Sequence, residues 1–335
     1  MFEVKPNAVT WVLLFLLTDL MWYWYHRFGH EVNLFWSVHV VHHQSDDFNY
    51  TVSARITVFQ SAARCLFWAV LPLFGFPPVM ITTLLLIHGC YPFFTHTQLI
   101  GKLGLVEYLF VTPSHHRVHH SSNPQYLDKN YGDVLIIWDK LFGTFAKEEE
   151  PPVYGLTKPL NSHSFLWQHF HFIMEMLVAF KRAATLKGKW NTIFGKPDDI
   201  DPRIRSGLER KFSRKEYGLS QTKVLCNYIK LQTVVSLVLL FVVILLEHYF
   251  TSLQLVTAAF FIILSVITTG AMLEQRRWIV FLEFARFGLL GIFIYLCYPS
   301  YNISILIFSV LTVLLLFCKT IGERYNGYLF TSVRS

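Results

Sequence analysis

The chain has 335 residues, 53% of them apolar and only 15% charged, with a mean hydropathy of +0.40 and a formal charge of +7. Soluble domains carry about a quarter charged residues, so this composition excludes an ordinary soluble globular protein and points to a membrane protein. The five cysteines, at 65, 90, 226, 297 and 318, share no short spacing and lie in or beside apolar stretches, which reads as packing rather than disulfides or metal ligation.

In chain order, Ala8 to Tyr25 is apolar apart from Thr10, Thr18 and Asp19, and is long enough to span a bilayer when tilted. It runs straight into histidines, so no cleavable signal peptide is expected. A carboxylate inside a membrane is costly, which singles out Asp19. It stands two helical turns before His26, roughly 10 Å away. Asp19 is therefore expected to orient a histidine of another segment, the alternative being a carboxylate capped by tyrosine or tryptophan donors.

His26 and His30 are four apart and share one helix face. His39, His42 and His43 follow at i, i+3, i+4, and His116, His119 and His120 repeat that spacing residue for residue. Eight imidazoles at helical spacings, without a nearby cysteine, point to a metal site. A single zinc takes four ligands, so eight nitrogens imply two metals. Imidazole suits zinc, copper, iron and nickel alike, and the ligand type leaves the ion open.

Between the two boxes, Val58 to Phe74 and Val79 to Phe94 form two apolar strokes broken by GFPP at 75 to 78, the pattern of a helical hairpin. Its second stroke delivers His96 as a further ligand candidate and leaves His88 two turns deeper, as a buried ring satisfied by a neighbour. Residues 123 to 145 read as a lid or floor over the metals. Thirteen Lys or Arg between Lys181 and Lys230 mark a basic segment suited to anionic headgroups. It carries no nucleic-acid motif, and no nucleic-acid partner is expected.

Four further spans are expected at about Ile229–Tyr249, Leu253–Ala271, Trp278–Tyr298 and Ile303–Phe317. The turns FGFPP, TSLQ and PSYN are uncharged, whereas the opposite turns carry Arg276, Arg277, Lys319 and Arg324. The positive-inside rule then places the histidine boxes, the basic segment and the C-terminus in the cytosol. The expected fold is an all-α polytopic membrane protein with about seven apolar helical segments and a cytosol-facing histidine-box domain. Its divisions are residues 1–147, an interfacial segment 148–228, and a four-helix transmembrane region 229–335.

The stretches DLMWYWYHRFGH (19–30), HVVHH (39–43) and HHRVHH (115–120) together resemble the fatty acid hydroxylase and sterol desaturase superfamily. So do DKNYGDVLIIWDKLFGTF (128–145), YGLTKP (154–159) and LEQRR (273–277), which extends the resemblance over nearly the whole chain. The resemblance implies a non-haem monooxygenase with two iron ions, acting with molecular oxygen and tetrahydrobiopterin on alkylglycerol-type ether lipids. Hydroxylation next to the ether oxygen would give a fatty aldehyde and a glycerol derivative. The ligands carried over by position are His26, His30, His39, His42, His43, His116, His119 and His120, with His96 and His115 as further candidates. Glu31 matches a glutamate implied in pterin binding; one residue past His30, it is rotated by about 100° and is expected to face the polar mouth instead of the metals. Asn49, Asp128, Asn130 and Tyr131 match supporting polar positions, although turn formation explains Asn and Asp equally well.

Two other readings stay open. One is a sterol or fatty-acyl hydroxylase or desaturase served by an electron-donor protein. The other is a non-catalytic membrane protein, but haem needs only one or two axial histidines and structural zinc favours cysteine. The expected partners are a lipid substrate and membrane lipids. The expected location is the endoplasmic reticulum for a eukaryotic chain or the cytoplasmic membrane for a bacterial one.

Overall fold

Helix α1 (Ala8–Glu31) begins where the Asn7 side chain accepts from the Thr10 amide and the Thr10 hydroxyl accepts from the Asn7 amide. A reciprocal cap of this kind satisfies two otherwise orphaned donors. The computed structural model describes residues 3–212, 222–276 and 278–329; residues 213–221 of the basic segment, and Arg277 of the charged turn, lie outside it. Among the described residues the only pairings of β type are two isolated bridges, Phe110 with Leu135 and Ser121 with Tyr154, and the fold is all-α.

After α1 the backbone extends at Val32 and re-enters a short helix, α2 (Asn33–His39), which tightens into a 3-10 turn over Val40–Gln44. Helix α3 (Gln60–Trp68) and a further turn, Val70–Leu73, lead to Gly75, whose φ of 85° is open to glycine. The chain then returns along α4 (Pro78–Thr95). The second box lies on α5 (Pro113–His119), followed by α6 (Ile137–Phe142), α7 (Phe165–Arg182), α8 (Leu186–Phe194) and α9 (Pro202–Phe212). The C-terminal helices are α10 (Lys223–Leu245), α11 (Ser252–Leu273), α12 (Ile279–Cys297), α13 (Tyr301–Leu316) and α14 (Cys318–Leu329).

Among the described residues five helices are long and apolar enough to cross a membrane: α1, α4, α10, α11 and α12. A sixth is counted when α13 and α14, bent by 77°, are taken as one span. The seventh expected stroke, Val58–Phe74, is not one helix. Pro72 has no N–H to offer the Trp68 carbonyl four residues back, and the helix breaks there.

The chain divides into two compact units, residues 1–161 with 168–210, and residues 162–167 with 211–335. In the first, Leu14, Trp22 and Tyr25 of α1 pack with Trp68, Leu71, Phe76, Met80, Ile81 and Leu84 of the hairpin. A second cluster lies beneath the first H-x-x-H-H box. Val40 and Val41, the two residues between its histidines, are buried against Phe172, Ile200 and Ile204. Gln44 adds a hydrogen bond to the Gln168 carbonyl (2.8 Å), and Arg55 one to the Val41 carbonyl (2.9 Å). Part of the polar segment is thus the support on which the box rests. In the second unit the core joins Leu225, Met272, Ile279 and Leu329.

Candidate metal centre

Among the described residues two all-histidine groups form, apart from a third cluster of Asp19, His88 and Asp133. One holds His26, His30, His39, His43 and His119; the other holds His42, His96, His116 and His120. Within each group, one ring nitrogen per residue lies within 4.8 Å of all the others. The groups do not follow the boxes. In the first box His39 and His43 go to one group and His42 to the other; in the second, His116 and His120 go one way and His119 the other. On the α-helical turn of the second box i and i+4 differ by about 40° while i+3 and i+4 differ by about 100°, so the i+3 ring leaves the face that its neighbours share, and in the first box the 3-10 turn gives the same division. Each H-x-x-H-H therefore bridges both groups.

The spacing of the nitrogens is that of a coordination shell. His30 Nε2 and His43 Nε2 are 3.1 Å apart, and His43 Nε2 and His39 Nε2 are 3.2 Å apart. In the other group, His42 to His96, His96 to His116 and His116 to His120 are 3.2, 3.0 and 3.2 Å between Nε2 atoms. Ligand bonds of about 2.0–2.1 Å to one ion place neighbouring nitrogens roughly 3.0–3.4 Å apart. Hydrogen bonds alone do not account for the contacts. The ring of His96 donates through Nδ1 to the Pro92 carbonyl (2.6 Å), which leaves its Nε2 a lone pair facing two other Nε2 atoms.

Backbone carbonyls set two further tautomers. His26 Nδ1 donates to the Tyr131 carbonyl (2.9 Å) and His119 Nδ1 to the Lys129 carbonyl (3.0 Å). A carbonyl only accepts, so both rings carry the proton on Nδ1 and turn Nε2 inward, the arrangement that presents a lone pair to a metal. His119 Nε2 is buried without a hydrogen-bond partner. Burial, reinforced by the neighbouring rings, holds His39, His42, His43, His116, His119 and His120 well below the usual imidazole range, and burial brings His96 to about 4. Neutral rings with inward lone pairs fit a pair of divalent cations.

The carbonyls are held by Asp139 and Arg117, whose part was not visible in the motifs, together with Asn130, one of the supporting positions that the resemblance implies. Asp139, wholly buried, accepts from the Tyr131 amide (2.8 Å), the Gly132 amide (2.7 Å) and the Thr144 hydroxyl (2.7 Å). Asn130, at φ 56°, ties the same loop to the His115 carbonyl and to both backbone groups of Ala146. Arg117, inside the second box, makes a two-pronged ion pair with Glu148 (2.8 and 2.7 Å) and donates to the Thr97 and Ile100 carbonyls. It pins the turn that follows His96.

The other sequence candidates are distributed as follows. His96, the residue capping the end of α4, is in the second group. His115 is in neither: its Nδ1 accepts from the Thr112 amide (3.3 Å) as a helix cap, and its ring meets Phe145. Asp19 serves backbone instead of a metal-facing ring, accepting from the Val134 amide (3.0 Å), the Leu135 amide (3.1 Å) and the Trp138 indole (2.8 Å). His88 pairs with Asp133 (2.6 Å) and lies 3.7 Å from Asp19. Glu31 pairs with Arg27 (2.9 Å) and lines a cleft whose wall also includes His30, His43, His119 and His120. Asp128, at φ 57°, stands 3.8 Å from His30 Nδ1 on that cleft, and Tyr131 packs its ring against His26, His30 and His119. Asn49 caps the turn Tyr50–Ser53.

Residues 11–144 match the fatty acid hydroxylase family. The chain is 36% identical to the alkylglycerol monooxygenase of Homo sapiens over 297 residues, which is 83% of this chain and 66% of that protein. It is 35% identical to the alkylglycerol monooxygenase of Danio rerio over 294 residues, covering 84% and 64%. With the enzyme of the same name from Xenopus tropicalis it shares 34% over 298 residues, covering 83% and 65%. The chain thus spans just under two thirds of the length of these relatives. No solved structure matches it.

Proposed function

We propose that the chain, whose residues 11–144 match the fatty acid hydroxylase family, is a membrane monooxygenase of that family that cleaves alkylglycerol-type ether lipids. The observation that supports this reading is the pair of all-histidine groups, with nitrogens 3.0–3.2 Å apart, in a chain similar to alkylglycerol monooxygenases. His26, His30, His39, His43 and His119 would hold one iron and His42, His96, His116 and His120 the other. When bound, the iron pair supplies the redox chemistry that an unactivated C–H bond requires and protein side chains lack.

The reaction balances as O2 plus two electrons and two protons plus the ether lipid, giving water and a hemiacetal at the ether-adjacent carbon. The hemiacetal then loses the glycerol oxygen as a hydroxyl and leaves a fatty aldehyde. Tetrahydrobiopterin is the proposed electron source. The chain's own residues bind, orient and exclude water. The carbonyls of Lys129, Tyr131 and Pro92 fix three tautomers, burial keeps the rings neutral, and the apolar faces of α1 and α4 leave the alkyl chain in lipid. Glu31, on the cleft beside the rings, offers a carboxylate that accepts two hydrogen bonds from an aminopyrimidine edge. The positive-inside pattern supports a cytosolic cleft, which cysteine labelling at Gly75 and Arg276 checks: opposite sides are expected, and the same side overturns it.

The deciding experiment supplies purified protein with an alkylglycerol or a sterol precursor, each with and without tetrahydrobiopterin. Fatty aldehyde formed from the alkylglycerol only with pterin and oxygen is the expected result. Product from the sterol, or pterin-independent turnover with an added electron-transfer protein, overturns it. Glu31→Gln should raise the pterin requirement by roughly ten-fold or more, the loss expected for one charge-assisted contact, with iron content unchanged.

A further inference from the structure

Helix α8 carries an apolar stripe that is left open to its surroundings. Leu186, Trp190 and Phe194 stand at i, i+4 and i+8 and are 85%, 63% and 43% exposed. The Trp190 and Phe194 rings lie 4.3 Å apart between centroids, so they form one continuous surface. At about 100° per residue, these three and the half-buried Ile193 fill an arc of roughly 100°, with Lys189 on one edge and Lys187 on the other. The opposite face holds only Gly188 and Thr192, both half-buried. Two contacts tie this helix to the start of α2. The Asn33 side chain donates to the Asn191 carbonyl (3.4 Å), and the Asn33 amide donates to the Gly195 carbonyl just past α8 (2.9 Å).

That attachment sets the level at which the stripe lies. The 24 residues of α1 make a rod about 36 Å long, against a hydrocarbon core of about 30 Å. The end of α1 at Glu31 therefore reaches the headgroup layer, and Asn33, two residues on, pins α8 there. Single exposed apolar residues are ordinary on any surface. A stripe edged by lysines on both sides is instead the pattern of a helix lying in the plane of an interface, where lysine stems cover apolar surface and their ammonium groups reach out. The charge around it is of one sign. Leu186–Phe194 contains no acid, Lys181 and Arg182 precede it and Lys196 follows it. Among the described residues no ion pair holds Lys181, Lys187 or Lys189. The nearest acids in the chain are engaged elsewhere: Asp199 accepts from the Lys196 amide, Asp201 pairs with Arg203, and Asp198 lines the cleft beside the rings.

We propose that α8 docks on an anionic leaflet of the bilayer that α1 crosses, with Leu186, Trp190 and Phe194 inserted below the headgroups and Lys187 and Lys189 on lipid phosphates. A groove in another protein would have to offer acid along both edges of the stripe, whereas an anionic leaflet offers it on every side. The docking bears on the metal centre through the chain itself. Lys196, Pro197 and Asp198 follow α8 directly and line the cleft that His30, His43, His119 and His120 also wall. A docked α8 holds this rim in the headgroup layer, where a lipid reaches the cleft without leaving its leaflet.

The inference goes beyond the monooxygenase reading and does not rest on it, because no turnover is measured. The full chain is placed in nanodiscs of phosphatidylcholine alone, or with roughly a third of phosphatidylserine, the lipids carrying bromine on the acyl carbons nearest the headgroup. The chain has nine tryptophans, and subtracting the emission of Trp190→Phe from that of the unaltered protein isolates Trp190. In the anionic discs bromine should quench at least about half of the Trp190 emission, and in the neutral discs about two-fold less, as surface attraction of the lysines requires. Lys187→Gln combined with Lys189→Gln should remove that difference between the discs, and raising the salt should shrink it. Trp190 untouched by bromine but quenched by acrylamide from water overturns the docking. Protection from both quenchers overturns it in favour of a protein partner or a second copy on the stripe. Equal bromine quenching in both discs overturns the anionic assignment. The comparison of discs on the unaltered chain decides the lipid charge even where the double variant fails to fold.

Discussion

The two units handle buried polar atoms in opposite ways. In the C-terminal unit, Glu283 of α12 is buried, and both its oxygens are used: Arg286 (2.6 Å) and Tyr228 (2.6 Å) donate to one, Gln232 (2.9 Å) to the other. The helices around that knot run long and regular, because charges matched within the membrane need no distortion to satisfy them. In the first unit the two H-x-x-H-H boxes lie on short elements, the first box ends in a 3-10 turn, and Asp128 and Asn130 take left-handed backbone. There, nitrogen lone pairs face nitrogen lone pairs. A buried carboxylate with both oxygens satisfied is a structural knot even though Arg286 Nε beside it has no partner, whereas lone pairs held facing one another are a site.

The largest expected effect falls on the rings that cross between groups. His42→Ala and His119→Ala each remove a ligand from a different group. Each should take metal content from about two per chain towards one and lower activity by more than about 100-fold, beyond the loss typical of an outer-shell change. Elemental analysis with turnover assays checks this; two metals retained with normal activity would erase the contrast between the units.

Between about pH 6.5 and 4, above the range of the Glu274 carboxyl in the second unit, acid should act mainly on the first unit. Burial holds the His96 ring at about 4 against the usual 6.5. Its neutral form therefore contributes stability that is complete above about 6.5 and declines as the pH falls towards 4. Thermal unfolding of metal-free protein across that range should show one transition falling with pH. A fall shared by a separately monitored C-terminal transition would contradict the assignment.

Asp139→Asn replaces an acceptor oxygen with a donor that faces the amides of Tyr131 and Gly132. The Tyr131 carbonyl should lose its hold on His26, with metal affinity falling by roughly 10–100-fold. Chelator competition measures this, and an unchanged metal affinity would free the loop from any part in the centre. The smallest change is Glu283→Gln. It should lower stability by about 1–2 kcal/mol, as for other hydrogen bonds within membranes, and leave metal content untouched. Loss of metal in this variant would break the distinction between knot and site.

Much was legible before the fold. The apolar composition and the runs around α10, α11 and α12 mark membrane helices because a bilayer demands about twenty apolar residues whatever the rest of the chain does. The histidine spacing indicates a metal centre because helical geometry brings i, i+3 and i+4 together locally. The interruption of the hairpin was less visible, since Pro72 alters a carbonyl four residues back inside a run that still reads as apolar.

What the sequence by itself determined is the donor inventory: many imidazoles, no cysteine beside them, two copies of one spacing and a bilayer-sized set of apolar runs. Only the tertiary structure decided how those donors are shared. It sends His42 to the group of the second box and His119 to that of the first, adds His96 from the end of α4, and turns His115 into a helix cap. It also gives Asp19 the Val134 and Leu135 amides and the Trp138 indole, with the His88 ring 3.7 Å away. The physical reason is the same in each case. Spacing along a helix fixes which side chains share a face, but the partner opposite that face comes from residues tens of positions away, and only packing brings it there.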